Sequence, residues 1–268
     1  MGRTYVFVNQ KGGVGKTTSA LNMGAYLAGE GKNVLLVDFD SQANLSSGVG
    51  VKAQKSGIYE LLSGTVTAQQ AVKKTGVPGL EVIPSSIDLS GAAVELIGQE
   101  GRYMFLKNAL AGVKERYDFI LIDCPPSLGV LTLNGMAAAD DVLIPMQCEY
   151  FAMEGLSLLL QTVQRIQRNL NRALGIGGLF FTMYDPRTRL AQDVVKTVKA
   201  YFRHKVFATV IPRNVRLSEA PSHGQPIMLF DPQCSGAKAY RSLALEMLGR
   251  APGEQVAEIP VGGLFSGS

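Results

Sequence analysis

Gln10-Lys11-Gly12-Gly13-Val14-Gly15-Lys16-Thr17-Thr18 is the stretch on which the reading of this chain turns. A strand-like run, residues 4–9, stands before it; after it a helical pattern opens near Lys16 with Leu21, Ala25 and Ala28 on one face. Gly12, Gly13 and Gly15 let a tight turn point backbone amides inward, where they can cradle phosphate oxygens. The amino end of the following helix adds partial positive charge. In that frame Lys16 reaches the β- and γ-phosphates, the Thr17 hydroxyl suits Mg2+, Thr18 faces the α-phosphate, and Val14 completes the loop. The competing reading is a glycine-rich turn of structural use only, and Gly-Lys-Thr-Thr between a strand and a helix weighs against it. The usual phosphate-loop pattern begins with glycine; this chain has Gln10 there and a second lysine, Lys11, directly before the glycines.

Outward from the loop, buried-strand patterns recur at residues 33–38, 80–83, 119–122, 142–145 and 177–182, with a short one at 209–211. Helical patterns fall between them at 102–116, 131–138, 153–170 and 191–202. Strands alternating with helices predict a single α/β domain over residues 1–249, a mainly parallel twisted sheet flanked by helices, with ligand bound at the carboxyl ends of its strands. Residues 250–268, rich in Gly, Pro and Ser, read as a flexible tail, although Val256, Ile259 and Leu264 leave a packing role open.

Three carboxylates stand where strands end. Asp38 and Asp40, two apart, point to one side of an extended segment toward the phosphates; the alternative is that they cap the next helix. Asp123 closes the apolar run Phe119-Ile120-Leu121-Ile122, a pattern whose carboxylate holds Mg2+.

The composition excludes several classes. No apolar run is long enough to span a bilayer, and the Met-Gly-Arg start enters a strand with no signal peptide, so a cytoplasmic location is expected. Cys124, Cys148 and Cys234 are odd in number and widely spaced, which fits reduced, packed thiols better than a disulfide framework or metal site. His204 and His223 read as structural or surface residues. The net charge is only +4, but residues 161–216 hold eleven Lys/Arg against Asp185 and Asp193. That asymmetry points to a polyanionic partner, solvated helix faces being the alternative. Lys196, Lys199 and Arg203 recur at three- and four-residue spacing, a geometry that can meet successive phosphates.

The run from Lys11 to Thr18 resembles the deviant Walker A motif of the ParA/MinD superfamily of ATPases. The resemblance covers roughly residues 3–249 and includes Asp123-Cys124-Pro125-Pro126-Ser127. It implies a P-loop ATPase that uses ATP and Mg2+ in a homodimeric sandwich, with Lys11 crossing to the partner's phosphates. It further implies that Asp40 orients the attacking water, that Asp38 supports the Mg2+ shell beside Thr17 and Asp123, and that Pro212 and Asn214 contact the base. The family run continues Pro-Gln-Gly-Asn, where this chain has Ser41 and Ala43.

Within the superfamily, Tyr184-Asp185-Pro186-Arg187-Thr188-Arg189-Leu190-Ala191 and the run from Val215 to Gly224 are similar to the Soj-like ParA partitioning group. That likeness implies non-specific binding of double-stranded DNA through Arg189 and Arg216, with Arg187 in the same run. It also implies a nucleoid-associated protein and a ParB-type, centromere-bound partner that stimulates hydrolysis. Gln255 to Ser268 contains no Lys or Arg, unlike the basic membrane-binding helix of MinD-like members, so no membrane partner is expected. The alternatives are a positioning ATPase for a protein cargo and, more remotely, a ligase, which would need a second substrate pocket.

Overall fold

The computed structural model describes residues 2–149 and 152–249; the expected tail, 250–268, lies outside the described residues. The strands are β1 (Arg3–Phe7), β2 (Val34–Asp38), β3 (Lys73–Lys74), β4 (Leu80–Ile83), β5 (Phe119–Asp123), β6 (Asp141–Gln147) and β7 (Gly175–Thr182). They form one sheet in the order β3-β4-β2-β5-β1-β6-β7, parallel throughout except for the two-residue β3. The helices are α1 (Lys16–Gly29), α2 (Asn44–Gly48), α3 (Ile58–Leu62), α4 (Ala68–Ala71), α5 (Leu89–Ile97), α6 (Phe105–Leu110), α7 (Val130–Ala138), α8 (Ala152–Asn169), α9 (Arg189–Phe202), α10 (Arg216–Glu219), α11 (Ile227–Phe230) and α12 (Ser235–Gly249).

Alternation along β1 explains the two-sided core. Val6 faces a cluster with Leu35, Ile122 and Val142, whereas Tyr5 and Phe7 face one with Leu36, Leu121 and residues of α1 and α12. Because helices cover both faces, the inner strands are buried at nearly every position, as their apolar runs require. α1 is buried almost all round because α12 covers the side turned away from the sheet, and Ser19 Oγ and Tyr240 Oη meet there at 3.0 Å. Gly24 permits the approach of α1 to β2: a Cβ at that position would stand 2.7 Å from Leu36 Cδ2.

Two expectations need correcting. The helix expected over 102–116 is only α6 and a 3-10 turn at Lys114–Arg116, with a break through Gly112 between them. The short strand expected at 209–211 does not form. Isolated bridges flank it, Leu179 with Val206 and Tyr184 with Pro212, and within it the Ile211 amide donates to the Phe181 carbonyl of β7 at 2.8 Å. The amides of Ala208 and Thr209 donate instead to the Glu246 carboxylate of α12, at 2.7 and 3.0 Å.

Candidate nucleotide site

The loop between β1 and α1 is held from behind by its neighbours. Gly13 and Gly15 take φ of 72° and 83°, left-handed values that suit glycine. Thr182 Oγ1, at the end of β7, donates to the Val14 carbonyl at 2.8 Å, and Gln147 Nε2, at the end of β6, donates to the Gly13 carbonyl at 2.8 Å. Among the described residues the amides of Gly12, Gly13, Val14 and Gly15 donate to no protein acceptor. A row of free donors beside the amino end of α1 is an anion cradle. Lys16 is 6% exposed and donates from Nζ to the carbonyls of Asn9 and Lys11, at 3.0 and 3.2 Å. Burial lowers its pKa, and the nearby Asp123 carboxylate opposes that shift.

A cleft of about 560 Å³ opens in front of this loop, lined by Gly12, Gly13, Lys16, Thr17, Thr18, Asp40, Gln42, Asn44, Cys124 and Pro126. A second cleft of about 210 Å³ is lined by Ile211, Pro212, Asn214, Val215, Leu217 and Tyr240. Gly15, Thr18 and Met183 border both, so the two form one continuous trough: polar where phosphates would lie, largely apolar where a base would lie. Asn214 lines the base end while its Nδ2 donates to Ser235 Oγ at 2.8 Å and its Oδ1 accepts from the Arg216 amide at 2.9 Å.

The three aspartates differ sharply. Asp40 borders the phosphate cleft, its Oδ1 accepting from the Gln42 amide at 3.1 Å. Asp38 is fully buried beneath it. Its Oδ2 accepts from the Ser46 amide and hydroxyl at 2.8 and 2.6 Å, so it fastens the first turn of α2, and burial pushes its pKa up to about 6. Among the described residues neither carboxylate oxygen of the buried Asp123 has a hydrogen bond of normal geometry, although the Thr17 hydroxyl lies near enough to favour its ionised form. Burial first, then the Asp38 carboxylate, pushes the Asp123 pKa up to about 8. A buried, unpartnered carboxylate beside a threonine hydroxyl and a phosphate cradle fits Mg2+, which takes few protein oxygens and completes its shell with phosphate and water. Burial holds the Cys124 thiol protonated, so it supplies no nucleophile here.

Lys11 is half exposed, and its ammonium is paired with the Glu149 carboxylate of its own subunit. The sequence reading missed Gln147, Glu149, Thr182 and Met183. Their position at or just beyond carboxyl ends of strands β6 and β7 was the available signal.

The basic residues fall into two groups. Arg189, Lys196, Lys199 and Arg203 are exposed on or just after α9, whose opposite face buries Ala191, Val194, Val198 and Phe202. Among the described residues these four cations have no ion-pair partner. Arg187 is instead paired with Asp185 at 2.6 Å, holding that carboxyl down at about 2. Arg216 is paired with Glu219 at 2.8 Å and Asp231 at 3.4 Å. No helix among the described residues is long and apolar enough to cross a membrane.

A family model described as an AAA domain matches residues 2–176. The chain is 64% identical over 250 residues to the chromosome-partitioning ATPase Soj of Treponema pallidum, covering 93% of this chain and 98% of that protein. It is 53% identical over 249 residues to the sporulation initiation inhibitor protein Soj of Bacillus subtilis, covering 92% and 98%. Among solved structures, cobyrinic acid a,c-diamide synthase of Mycobacterium smegmatis with a bound ATP analogue and magnesium matches at TM-score 0.82 and 38% identity, covering 92% of this chain and 94% of that one. The septum site-determining protein MinD of Pyrococcus horikoshii, complexed with Mg-ADP, matches at TM-score 0.76 and 26% identity, covering 92% and 96%. Sheet order, phosphate cradle and buried aspartate thus define a P-loop ATPase that works with ATP and Mg2+. More narrowly, the chain belongs to the ParA/MinD superfamily, and its likeness to the curated relatives puts it with the Soj and ParA partitioning ATPases.

Proposed function

We propose that this protein is a DNA-partitioning ATPase whose ATP-bound homodimer binds double-stranded DNA without sequence preference and lets go after hydrolysis. The observation that carries the reading is the coexistence of a nucleotide-sized trough with a row of exposed cations on α9 that have no ion-pair partner among the described residues. Residues 1–249 form the ATPase unit. The triphosphate lies on the amides of Gly12 to Gly15 with Lys16 beside it; Thr17 and Asp123 hold Mg2+, with Asp38 supporting them by fixing α2. That ion supplies charge neutralisation at the phosphates. Asp40 orients the attacking water, and Pro212 and Asn214 meet the base. Lys11 reaches the nucleotide of the second subunit, where a cation supplied in trans offsets charge developing on the transferred phosphoryl group.

Dimerisation doubles the basic surface and converts weak phosphate contacts into avid ones. A ParB-type partner bound at a centromere-like site stimulates hydrolysis, and the protein resides in the cytoplasm on the nucleoid. The relatives named for partitioning reach 64% identity, against 38% for the structure named as an amide synthase, which favours partitioning over a ligase.

The deciding experiment is retention on unrelated duplexes without nucleotide, with ADP, with ATP, and with ATP in the Asp40→Ala variant. Retention that needs ATP, ignores sequence and falls with salt supports the reading. ATP-driven dimers that bind no DNA would replace it with positioning of a protein cargo.

A further inference from the structure

The carboxyl end of β6 grips the loop that carries Lys11. Gln147 donates to the Gly13 carbonyl at 2.8 Å, and two residues further on the Glu149 carboxylate is ion-paired with the Lys11 ammonium. The Lys11 backbone is built into the site as well: its amide donates to Asn9 Oδ1 at 3.0 Å and its carbonyl accepts from Lys16 Nζ at 3.2 Å. Its side chain has no partner other than Glu149 among the described residues. Lys11 is thus anchored in its own phosphate loop while its charge is held on its own subunit.

We propose that the Lys11–Glu149 pair is a latch, which keeps the ammonium from reaching a second subunit and must open before the ATP-bound dimer can close. The proposal rests on the reading that Lys11 crosses to the partner's nucleotide. Glu149 is then a positioning residue, acting on the phosphates only through Lys11. The exposure of both groups, 50% and 52%, makes the pair weak, as a latch that nucleotide must open has to be. Triphosphate oxygens compete for the same ammonium through charge-assisted bonds of the same kind. Each dimer opens two latches, so the effect on dimer association is the square of the effect on one subunit.

The test is the monomer–dimer equilibrium of the full chain by analytical ultracentrifugation with AMPPNP and Mg2+, for the parent, Glu149→Gln, Lys11→Ala and the double variant. Glu149→Gln removes the charge and keeps the shape. It is expected to tighten the dimer on the order of two- to thirtyfold, the square of a weak exposed pair. The gain should shrink between low and high salt as the pair is screened, which removal of a merely structural interaction would not produce. In the Lys11→Ala background Glu149→Gln should change nothing. A dimer that is unchanged or weakened by Glu149→Gln, while Lys11→Ala still impairs dimerisation, overturns the latch alone. If Lys11→Ala dimerises like the parent, the crossing reading fails and the latch fails with it.

Discussion

The Ser46 hydroxyl donates to Asp38 Oδ2 at 2.6 Å and accepts from the Ser85 amide at 2.9 Å, joining the end of β2 to the start of α2 and to the segment leading into α5. All three residues are buried, so the bonds have no water to replace them. Ser46→Ala leaves the Ser85 amide without an acceptor and strips one donor from a buried carboxylate. The expected cost is about 1–3 kcal/mol of stability, read from urea unfolding. ATP hydrolysis should fall as well, because the Asp38 carboxylate that the Ser46 hydroxyl holds also accepts from the Asp40 amide.

Asp123 makes stability depend on pH in a direction unusual for a carboxylate. Its folded pKa of about 8 stands above the value near 4 of an unfolded aspartate. Between those values the folded state holds the proton and the unfolded state does not, so stability of the metal-free protein falls as pH rises. Asp38, raised to about 6, contributes to the lower part of that fall. Asp123→Asn removes the titration above pH 6. Without nucleotide and Mg2+ the variant should therefore melt higher than the parent at pH 8, and the difference should narrow at pH 6. With Mg2+-ATP the order should reverse, since only the parent gains full ligand stabilisation. Thermal melts at the two pH values check this, and an equal difference at both would refute the assignment of Asp123 as the titrating group.

Asp40 lies at the rim of the phosphate cleft, half-buried, while Asp38 is sequestered beneath α2. The two carboxylates therefore separate in experiment. Asp40→Ala should leave ATP binding and folding near parental levels and lower hydrolysis by on the order of a hundredfold or more. Asp38→Ala should chiefly destabilise the fold. ATP turnover measured beside a thermal melt distinguishes them, and an Asp40→Ala protein hydrolysing at the parental rate would remove Asp40 from the chemistry.

The local part of this structure was legible because its signals are local. A strand, three glycines, Gly-Lys-Thr-Thr and a helix lie within about thirty residues, and burial on both sheet faces imposes the apolar runs of β2 and β5. What escaped reading is long-range. Gln147 meets Gly13 across 134 positions, and Glu149 meets Lys11 across 138. No periodicity encodes either pairing. The segment at 209–211 failed as a strand for the same reason: Glu246, on a distant helix, takes the Thr209 amide, although the Ile211 amide still bonds the Phe181 carbonyl of β7. The strand-end aspartates were read as a group facing the phosphates; Asp40 borders the cleft, whereas Asp38 is turned under α2 and holds the Ser46 amide. Which of them would be sealed under α2 depended on Ser46, whose role only the tertiary fold reveals.

The ion pairs divide the cations expected to meet DNA into two classes with different signatures. Arg189, Lys196, Lys199 and Arg203 are exposed and unpaired among the described residues, whereas Arg187 is held by Asp185 and Arg216 by Glu219 and Asp231. A free cation that touches phosphate displaces a counterion at no internal cost; a paired one must first give up its carboxylate. Replacing Lys196 or Lys199 by Gln should therefore weaken ATP-dependent DNA binding and lower the slope of log K against log salt by about one for each phosphate that the lysine neutralised in each subunit. Asp185→Asn should act the opposite way, releasing Arg187 and tightening binding most at low salt. ATP hydrolysis without DNA should be unaffected in all three variants, since none of these side chains borders the trough. Fluorescence anisotropy with a labelled duplex across a salt series checks both signs. Unchanged slopes in the Lys196 and Lys199 variants would take α9 out of the DNA-binding surface.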